Sequence, residues 1–313
     1  GVFGALTTGD QNVAVGQGTL ALNTTGANNV GIGSLALDAN TTGGCNIGIG
    51  TGALTANTEG ASNLSIGFRS SDHTTTGARN TVVGHDAFRC NTTSSDNTAF
   101  GYQALHCNTA GNNNVAVGNA LCKNTTGLYN IGVGSGAASS NTTGSANVAV
   151  GRVALTANTT GSDNVAVGCC ALKTSTTASF NTAVGHDSLK LNTIGCCNVA
   201  VGRRSMDANT EGLCNTAVGA GSLGGNTTGD QNTAIGAEAL ATNTTANSNT
   251  AVGYQTLKLN TTGSNLTAIG AFALDENTTG ASNTALGSSA LNKNTTGDFN
   301  IAVGGNALCT NTT

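Results

Sequence analysis

Proline and tryptophan are both absent from the chain, and charge is scarce: its 313 residues include only 11 basic and 15 acidic side chains. Collagen is excluded because its triple helix needs proline and a glycine at every third residue, and the 46 glycines here have no such period. Intrinsic disorder is excluded because disordered chains combine low hydrophobicity with high net charge. In this chain 38% of the residues are hydrophobic and the net charge is -4.

Basic and aromatic residues are too few for a nucleic-acid-binding surface. Acidic residues outnumber basic ones, and the aromatic residues are 7 Phe and 3 Tyr, whereas nucleic-acid-binding domains carry a basic patch or stripe. The longest apolar runs are far shorter than the roughly 18 residues of a membrane-spanning helix. We therefore expect neither a nucleic-acid partner nor membrane insertion.

One five-residue word, Asn-Val-Ala-Val-Gly, recurs with variants along the whole chain. It begins 18 copies of a repeat, and 16 of the 17 intervals between copies are 17 residues long; the interval from Asn114 to Asn130 is 16. The copies begin at Asn12, Asn29, Asn46, Asn63, Asn80, Asn97, Asn114, Asn130, Asn147, Asn164, Asn181, Asn198, Asn215, Asn232, Asn249, Leu266, Asn283 and Asn300. We number the positions of each repeat from 1, at the residue in this list, to 17.

The columns of the repeat separate an expected core from an expected surface. Position 4 is apolar and position 5 is Gly in all 18 copies, position 9 is Leu in 14, and position 12 is Asn in 16. No charged residue occurs at positions 1 to 5, 8, 9, 12 or 13. Because an unpaired buried charge is costly, these columns predict the packed wall, and we expect positions 4 and 9 to point inward.

A 17-residue period is too short for a helical repeat and favours strands. The sequence predicts an all-β fold, a β-solenoid or parallel β-roll with one repeat per turn and about 18 turns stacked ~4.8 Å apart. The Asn columns at positions 1 and 12 are expected to pair their side-chain amides along the stack. Residues 1–313 are predicted to be one continuous domain, with an irregular turn near 114–140 and partial turns at 1–11 and 311–313.

Position 3 leaves two interpretations open. It is Ala in 13 copies and Gly in three more, with only Ser65 and Val82 larger. Small residues on a strand face permit close approach by another backbone. They line either the tight interior of a flat roll or the surface on which neighbouring chains pack.

The repeated word resembles the head repeats of trimeric autotransporter adhesins. Asn12-Val13-Ala14-Val15-Gly16 and Asn232-Thr233-Ala234-Ile235-Gly236 match the haemagglutinin-like pattern of those heads, and similar repeats occur in phage and viral tail fibres. The resemblance covers positions 1 to 8 of every repeat. It implies a left-handed parallel β-roll, a homotrimer, and a role as a surface adhesin. The repeat departs from the family by an additional Leu-x-x-Asn-Thr-Thr-Gly arm, and no coiled-coil stalk or membrane anchor accompanies it.

No motif predicts catalysis, so the chain is not expected to be an enzyme. His85-Asp86 and His186-Asp187 repeat a pair that can serve as acid and base, but six turns separate them and solvated corner residues are the simpler interpretation. The glycines do not form a dinucleotide-binding fingerprint because no helix follows them. His73, Cys90 and Cys107 form a column beside His106, yet their spacing matches no zinc finger. We therefore expect no catalytic, cofactor-binding or metal site.

Two cysteine pairs are candidates for disulfide bonds between adjacent turns. Cys90 and Cys107 share position 11, and Cys197 and Cys214 share position 17, of consecutive repeats. Stacking predicts Cα separations near 5 Å, inside the range of roughly 4.4 to 6.8 Å for disulfides. Such bonds would indicate an oxidising, extracellular setting; free thiols or interchain pairs are the alternatives.

The Asn-Thr-Thr arm creates N-glycosylation sequons, which matter only if the producer is eukaryotic or a eukaryotic virus. Since Asn57, Asn108, Asn192 and Asn209 fill the same column without a sequon, a turn role is the competing interpretation. The arm sequons lie at Asn23, Asn40, Asn91, Asn124, Asn141, Asn158, Asn226, Asn243, Asn260, Asn277, Asn294 and Asn311, and Asn63 and Asn265 add two outside the arm.

The sequence predicts an extracellular structural or adhesive fibre protein: an adhesin head, a tail-fibre shaft or a surface-filament subunit. An ice-binding solenoid and a carbohydrate-binding fibre module are the alternatives. Expected partners are further copies of the chain, as a homotrimer or a head-to-tail filament, and a host-cell receptor, glycan or matrix. Gly4–Gly9 and Asn311–Thr313 lack capping features, so we expect either a longer repeat chain or head-to-tail stacking, in which Gly1 would complete the last arm of the preceding molecule.

Overall fold

The computed structural model describes residues 3–313, and its residues group into two units, Gly1–Thr160 and Gly161–Thr313. Gly1, and with it the expectation that it completes a preceding arm, lies outside the described residues. The regular elements of the described chain are three-residue strands, one per repeat, and no helix occurs among residues 3–313. The all-β solenoid is thereby confirmed; its left-handedness stays a prediction.

Each unit contains nine strands. In the first unit they are β1 (Val13–Val15), β2 (Val30–Ile32), β3 (Ile47–Ile49), β4 (Leu64–Ile66), β5 (Thr81–Val83), β6 (Thr98–Phe100), β7 (Val115–Val117), β8 (Ile131–Val133) and β9 (Val148–Val150). In the second they are β10 (Val165–Val167), β11 (Thr182–Val184), β12 (Val199–Val201), β13 (Thr216–Val218), β14 (Thr233–Ile235), β15 (Thr250–Val252), β16 (Thr267–Ile269), β17 (Thr284–Leu286) and β18 (Ile301–Val303).

Within each unit, consecutive strands pair in parallel and in register, so each repeat position stacks on the same position of the next repeat. Val13 pairs with Val30 at the start of the first unit, and Val199 pairs with Thr216 in the second. The turns between strands are also bonded to their neighbours: Leu20 N–H donates to Ala36 O at 3.1 Å. The short strands are therefore one part of a longer inter-turn ladder that satisfies the backbone polar groups.

The core of each turn is built from small residues and a single large one. Positions 3, 8 and 9 are buried, and the largest fully buried side chains are mostly the position-9 leucines, such as Leu37 and Leu240. Position 3 packs against position 9 of the preceding turn: a Cβ added to Gly48 would lie 3.2 Å from Leu37 Cγ. Small side chains at position 3 thus line the tight interior of the roll, which decides between the two interpretations of that column.

The expectation that position 4 points inward is wrong, whereas position 9 behaves as expected. No position-4 residue is buried, and Val15 and Val303 are 57% and 69% exposed. Successive strand residues point to opposite faces, so burial of position 3 forces positions 2 and 4 outward. The interior beside the position-9 leucine has room for a methyl group, and the β-branched residues take the outer face.

The expected asparagine ladders are present in both Asn columns. At position 12, Asn40 Nδ2 donates to Asn23 Oδ1 at 2.7 Å and to Gly43 O at 2.9 Å. At position 1, Asn29 N–H donates to Asn12 Oδ1 at 2.9 Å. Amides of both columns thus bond the neighbouring turn and their own arm. Most of these buried polar groups are thereby satisfied, as buried amides generally are, and Asn57 Oδ1 is an exception without a hydrogen-bond partner.

The short repeat from Asn114 keeps its register and loses a corner residue. β7 pairs with β8 in the usual register, Leu121 is buried, and Leu121 N–H donates to Ala137 O at 3.0 Å. Gly118 has φ 84, whereas the other position-5 glycines lie between 120 and 147. The backbone therefore absorbs the deletion at the corner after Gly118 and leaves the packed wall unchanged.

Candidate functional site

The exposed side of the strands is a regular apolar surface in each unit. We call it the strand face and define it as the residues at positions 2 and 4 of the repeats. Position 2 is Val, Ile, Leu or Thr throughout, and position 4 is Val, Ile, Leu or Phe. Nine strands at ~4.8 Å spacing make a stripe roughly 40 Å long in each unit. No charged side chain interrupts it.

This stripe has the size of the largest apolar patches on soluble proteins, which are often functional surfaces. Such patches cover about 300–600 Å², and a stripe of this length that is two side chains wide covers about 400 Å² in each unit. Ile235 and Ile269 are 41% and 45% exposed within it. The strand face is therefore the surface of each unit that gains most from contact with another surface.

A second distinctive surface lies at one corner of the first unit, where three aromatic rings stack. Phe68, His85 and Tyr102 all occupy position 6, directly after the position-5 glycine of consecutive repeats. Their ring centroids are 5.1 Å and 5.7 Å apart, and Phe68 and Tyr102 are 46% and 57% exposed. The register of the solenoid thus converts a spacing of 17 residues into a column of rings.

An open groove of about 460 Å³ borders Phe68. Its wall includes Leu35, Thr55, Arg69, Asp72 and His73. Asp72 links the charged groups: its carboxylate lies 3.2 Å from Arg69 Nε, 2.6 Å from His73 Nδ1 and 3.4 Å from Arg89 Nε. An aromatic face beside paired charged groups offers both stacking and hydrogen bonding to a polar ligand.

The two recurring His-Asp pairs are local contacts in different units. His85 Nδ1 lies 3.2 Å from Asp86 Oδ2, and His186 Nδ1 lies 3.0 Å from Asp187 Oδ2. Both imidazoles are more than half exposed. Each imidazole is therefore a solvated corner group, as the sequence predicted, whereas the two carboxylates are largely buried, with 15% and 9% of their side chains exposed.

The structure places the members of both predicted cysteine pairs beside one another as thiols. Cys90 contacts Cys107, and burial first, then Cys107 and Asp72, raise the pKa of the Cys90 thiol. Cys197 contacts Cys214 and also Cys196, whose hydrogen bond is the main cause of the raised pKa of Cys197. The two disulfides stay predictions. Sequence spacing could have indicated the contact with Cys196, which directly precedes Cys197.

Most of the arm sequons lie in the buried Asn ladder. Asn23, Asn141 and Asn294 are 0% exposed. The Nδ2 atom of each, which would carry a glycan, already donates a hydrogen bond, to Gly26 O in the case of Asn23 and to the Asn of the neighbouring turn in the other two. A glycan has no room there, which favours the turn role of the column. Among the sequons, Asn265 is exposed and Asn311 is half-buried.

Comparison with known proteins leaves the chain without an assigned family. No family model matches its sequence, and no curated protein is significantly similar to it. Residues 3–313 also hold no helix with the length and apolar character that crossing a membrane requires.

Proposed function

We propose that the chain is a non-enzymatic structural or adhesive fibre protein that works outside the cell, as part of an adhesin head, a tail fibre or a surface filament. The observation that carries this proposal is the strand face. A stack of similar turns places an apolar side chain at position 4, and an apolar residue or Thr at position 2, at every level, which suits repeated lateral contact between copies of the chain. The resemblance of the Asn-x-Ala-Val-Gly word to adhesin-head repeats supports the same conclusion.

Lateral self-association is the form of assembly that the strand face favours. Burying apolar surface contributes about 25 cal/mol per Å², and a partner with the same flat, regular face would match it turn for turn. The homotrimer implied by the adhesin resemblance and a laterally bundled filament both satisfy this requirement.

Analytical ultracentrifugation of the full chain over a wide concentration range tests this proposal. A double variant, Val184→Lys with Val218→Lys, places two cations on the strand face of the second unit. The matched control, Leu213→Lys with Leu259→Lys, places them at exposed corner positions of the same unit. We expect the unmodified chain and the control to form oligomers and the strand-face variant to dissociate. A monomeric unmodified chain at every concentration would remove the basis of the proposal.

Ice binding is the second candidate function, and one observation favours it. Position 2 of the outward strand face is Thr in five consecutive strands, β13 to β17, where it alternates with an apolar residue at position 4. Measurement of thermal hysteresis distinguishes ice binding from the fibre function. Thermal hysteresis that the unmodified chain shows and Thr250→Lys lacks would replace the fibre proposal with this one.

A carbohydrate-binding fibre module is the third candidate, and it rests on the column of Phe68, His85 and Tyr102 beside the groove. Aromatic faces present flat apolar surface, which suits the apolar face of a sugar ring. Glycan-array binding that is lost in Tyr102→Ala and kept in Tyr254→Ala would support it.

A further inference from the structure

Three side chains that commonly ligate metals converge at the corner of the first unit. Cys90 and Cys107 stack at position 11 of consecutive turns, and His106 occupies position 10. One potential ligand atom of each lies within 4.8 Å of the other two. In the part of the chain that the structure describes, no other set of three Cys, His, Asp or Glu side chains meets this condition.

The backbone ladder holds the three residues in place. Cys90 N–H donates to His106 O at 2.9 Å, and Cys107 N–H donates to Cys122 O at 2.9 Å. These bonds belong to the inter-turn ladder and do not depend on the thiols. The side chains are therefore presented by a rigid scaffold, which is what a preorganised ligand set requires.

The imidazole of His106 has one nitrogen engaged and one left for a ligand. Its Nδ1 lies 2.8 Å from Asp86 O, and because a carbonyl oxygen only accepts hydrogen bonds, Nδ1 carries the proton. The bond is a recurring feature of the corner: Thr55 Oγ1 and Asn292 Nδ2, also at position 10, donate to the position-7 carbonyl of the preceding turn. Nε2 keeps its lone pair, which is the tautomer of a metal-binding histidine whose second nitrogen is hydrogen-bonded.

We propose that Cys90, His106 and Cys107 form a three-ligand binding site for a thiophilic d¹⁰ metal ion, with Zn²⁺ as the reference ion and a water molecule in the fourth position. Two thiolates and one imidazole are ligands that Zn²⁺ prefers. Zn–S bonds of about 2.3 Å in a tetrahedron put the two sulfurs about 3.8 Å apart, which small side-chain rotations reach from the present separation. Binding releases the two thiol protons to solvent and involves no oxidation.

Metal binding and the predicted Cys90–Cys107 disulfide are alternative fates of the same two thiols. The disulfide forms when an oxidant removes two electrons and two protons, and it leaves no thiolate to bind metal. The metal site therefore belongs to the reduced protein. It is also independent of the proposed fibre function, because none of its residues lies on the strand face.

Cobalt substitution of the full chain tests the site. The background variant Cys197→Ser with Cys214→Ser removes the other stacked pair, whose members are both exposed. Co²⁺ bound to thiolates gives a charge-transfer band in the near ultraviolet. We expect the reduced background protein to bind one Co²⁺ per chain with this band, and to release it to Zn²⁺.

Three further substitutions in this background locate the ligands. We expect Cys90→Ser to abolish the band and His106→Gln to weaken binding at least tenfold, while His186→Gln, an exposed histidine in the other unit, leaves it unchanged. Gln at position 10 can still donate to Asp86 O, as Asn292 does to Phe272 O, so the fold is expected to survive, and circular dichroism checks that it does. The absence of the band, equal affinity of the two His variants, or a Cys90–Cys107 disulfide in the protein as isolated would overturn the proposal.

Discussion

At the scale of the residue, the glycine at position 5 meets two independent requirements. Its φ lies near +130 in nearly every turn, a region open essentially to glycine alone. A Cβ on Gly202 would also lie 2.5 Å from Gly219 O and 2.7 Å from its carbonyl carbon in the next turn. Conformation and contact together explain why this column holds glycine in all 18 copies.

Replacing Gly202 with Ala is therefore expected to be severely destabilising, by more than about 3 kcal/mol, because it combines backbone strain with a backbone clash. Gly221→Ala is the matched control in the next turn of the same unit. Gly221 has φ 65 and no atom within 3.8 Å of an added Cβ, and Glu238 adopts the same conformation at this position, so about 1 kcal/mol is expected. Urea denaturation measures both changes, and equal costs would contradict the clash.

Asp275 is a residue whose ionisation opposes folding. It occupies position 10, its Oδ1 is buried without a hydrogen-bond partner, and burial raises its pKa, an effect that Lys258 partly offsets. Because the folded-state pKa lies above the unfolded-state value, the folded chain binds the proton more tightly. The resulting penalty is present at neutral pH and disappears as the pH falls through the folded-state pKa.

We expect Asp275→Asn to raise the free energy of unfolding at neutral pH by no more than about 1 kcal/mol, since the carboxylate is partly exposed and screened. The gain should shrink as the pH is lowered. Asp96→Asn is the control of opposite sign, because the hydrogen bond from Arg79 lowers the pKa of Asp96. Urea denaturation of each variant at several pH values measures these differences. A stabilisation by Asp275→Asn that increases as the pH is lowered would contradict the prediction.

At the scale of the element, one turn packs onto the next through positions 9 and 3. Two residues that depart from the common pattern of these columns are neighbours in this scheme. Ser71 replaces Leu at position 9, and Val82, buried at position 3 of the following turn, replaces Ala. The lost volume at position 9 is thus matched by added volume at position 3, as close packing requires.

A double-mutant cycle tests this pairing. Ser71→Leu alone should overpack the turn and cost about 1–3 kcal/mol, and Val82→Ala alone should leave a cavity of similar cost. Combined, the two changes restore the common Leu and Ala of the repeat, so their costs should largely cancel, with an interaction energy of about 1–3 kcal/mol. Strict additivity of the free energies of unfolding would show that the two residues do not share a space.

The same pair shows what the sequence could and could not predict. Periodicity and the exclusion of charge indicated the solenoid, the buried position 9 and the Asn ladders, because those properties repeat in every copy. They misassigned position 4, because a uniformly apolar column has the same composition whether it faces a core or an assembly surface. The co-occurrence of Ser71 with Val82 was one available signal that position 3 points inward, but a single pair is a weak one, since Ala138 at position 9 is followed by the common Ala149 at position 3.

The corner sites were harder to predict because they occur only once. The sequence predicted a column of His73, Cys90 and Cys107 with His106 beside it, and the structure brings His106 together with the two cysteines and leaves His73 outside this set. Side-chain direction at a corner depends on the left-handed residues at positions 7 and 9, such as Asp86 and Phe88. Spacing alone does not reveal these dihedral angles.

At the scale of the whole molecule, stacked turns make stability a sum of similar neighbour contacts. The interior of each turn is thin, since it contains one large side chain and several small ones. The apolar residues that would enlarge a core stand instead on the strand face of each unit. The proposed assembly depends on this division between a packed interior and an exposed, largely apolar outer face.

Two substitutions in adjacent residues of β12 test this division most directly. Ala200 is fully buried at position 3, and Val201 is half-buried on the strand face at position 4. In thermal and urea unfolding of the dissociated chain, we predict that Ala200→Asp costs more than about 3 kcal/mol, because it buries an unpaired charge, and that Val201→Asp costs less than about 1 kcal/mol. A one-residue shift of the strand would exchange the two faces, so the opposite order, with Val201→Asp unfolding the protein and Ala200→Asp tolerated, would contradict the account.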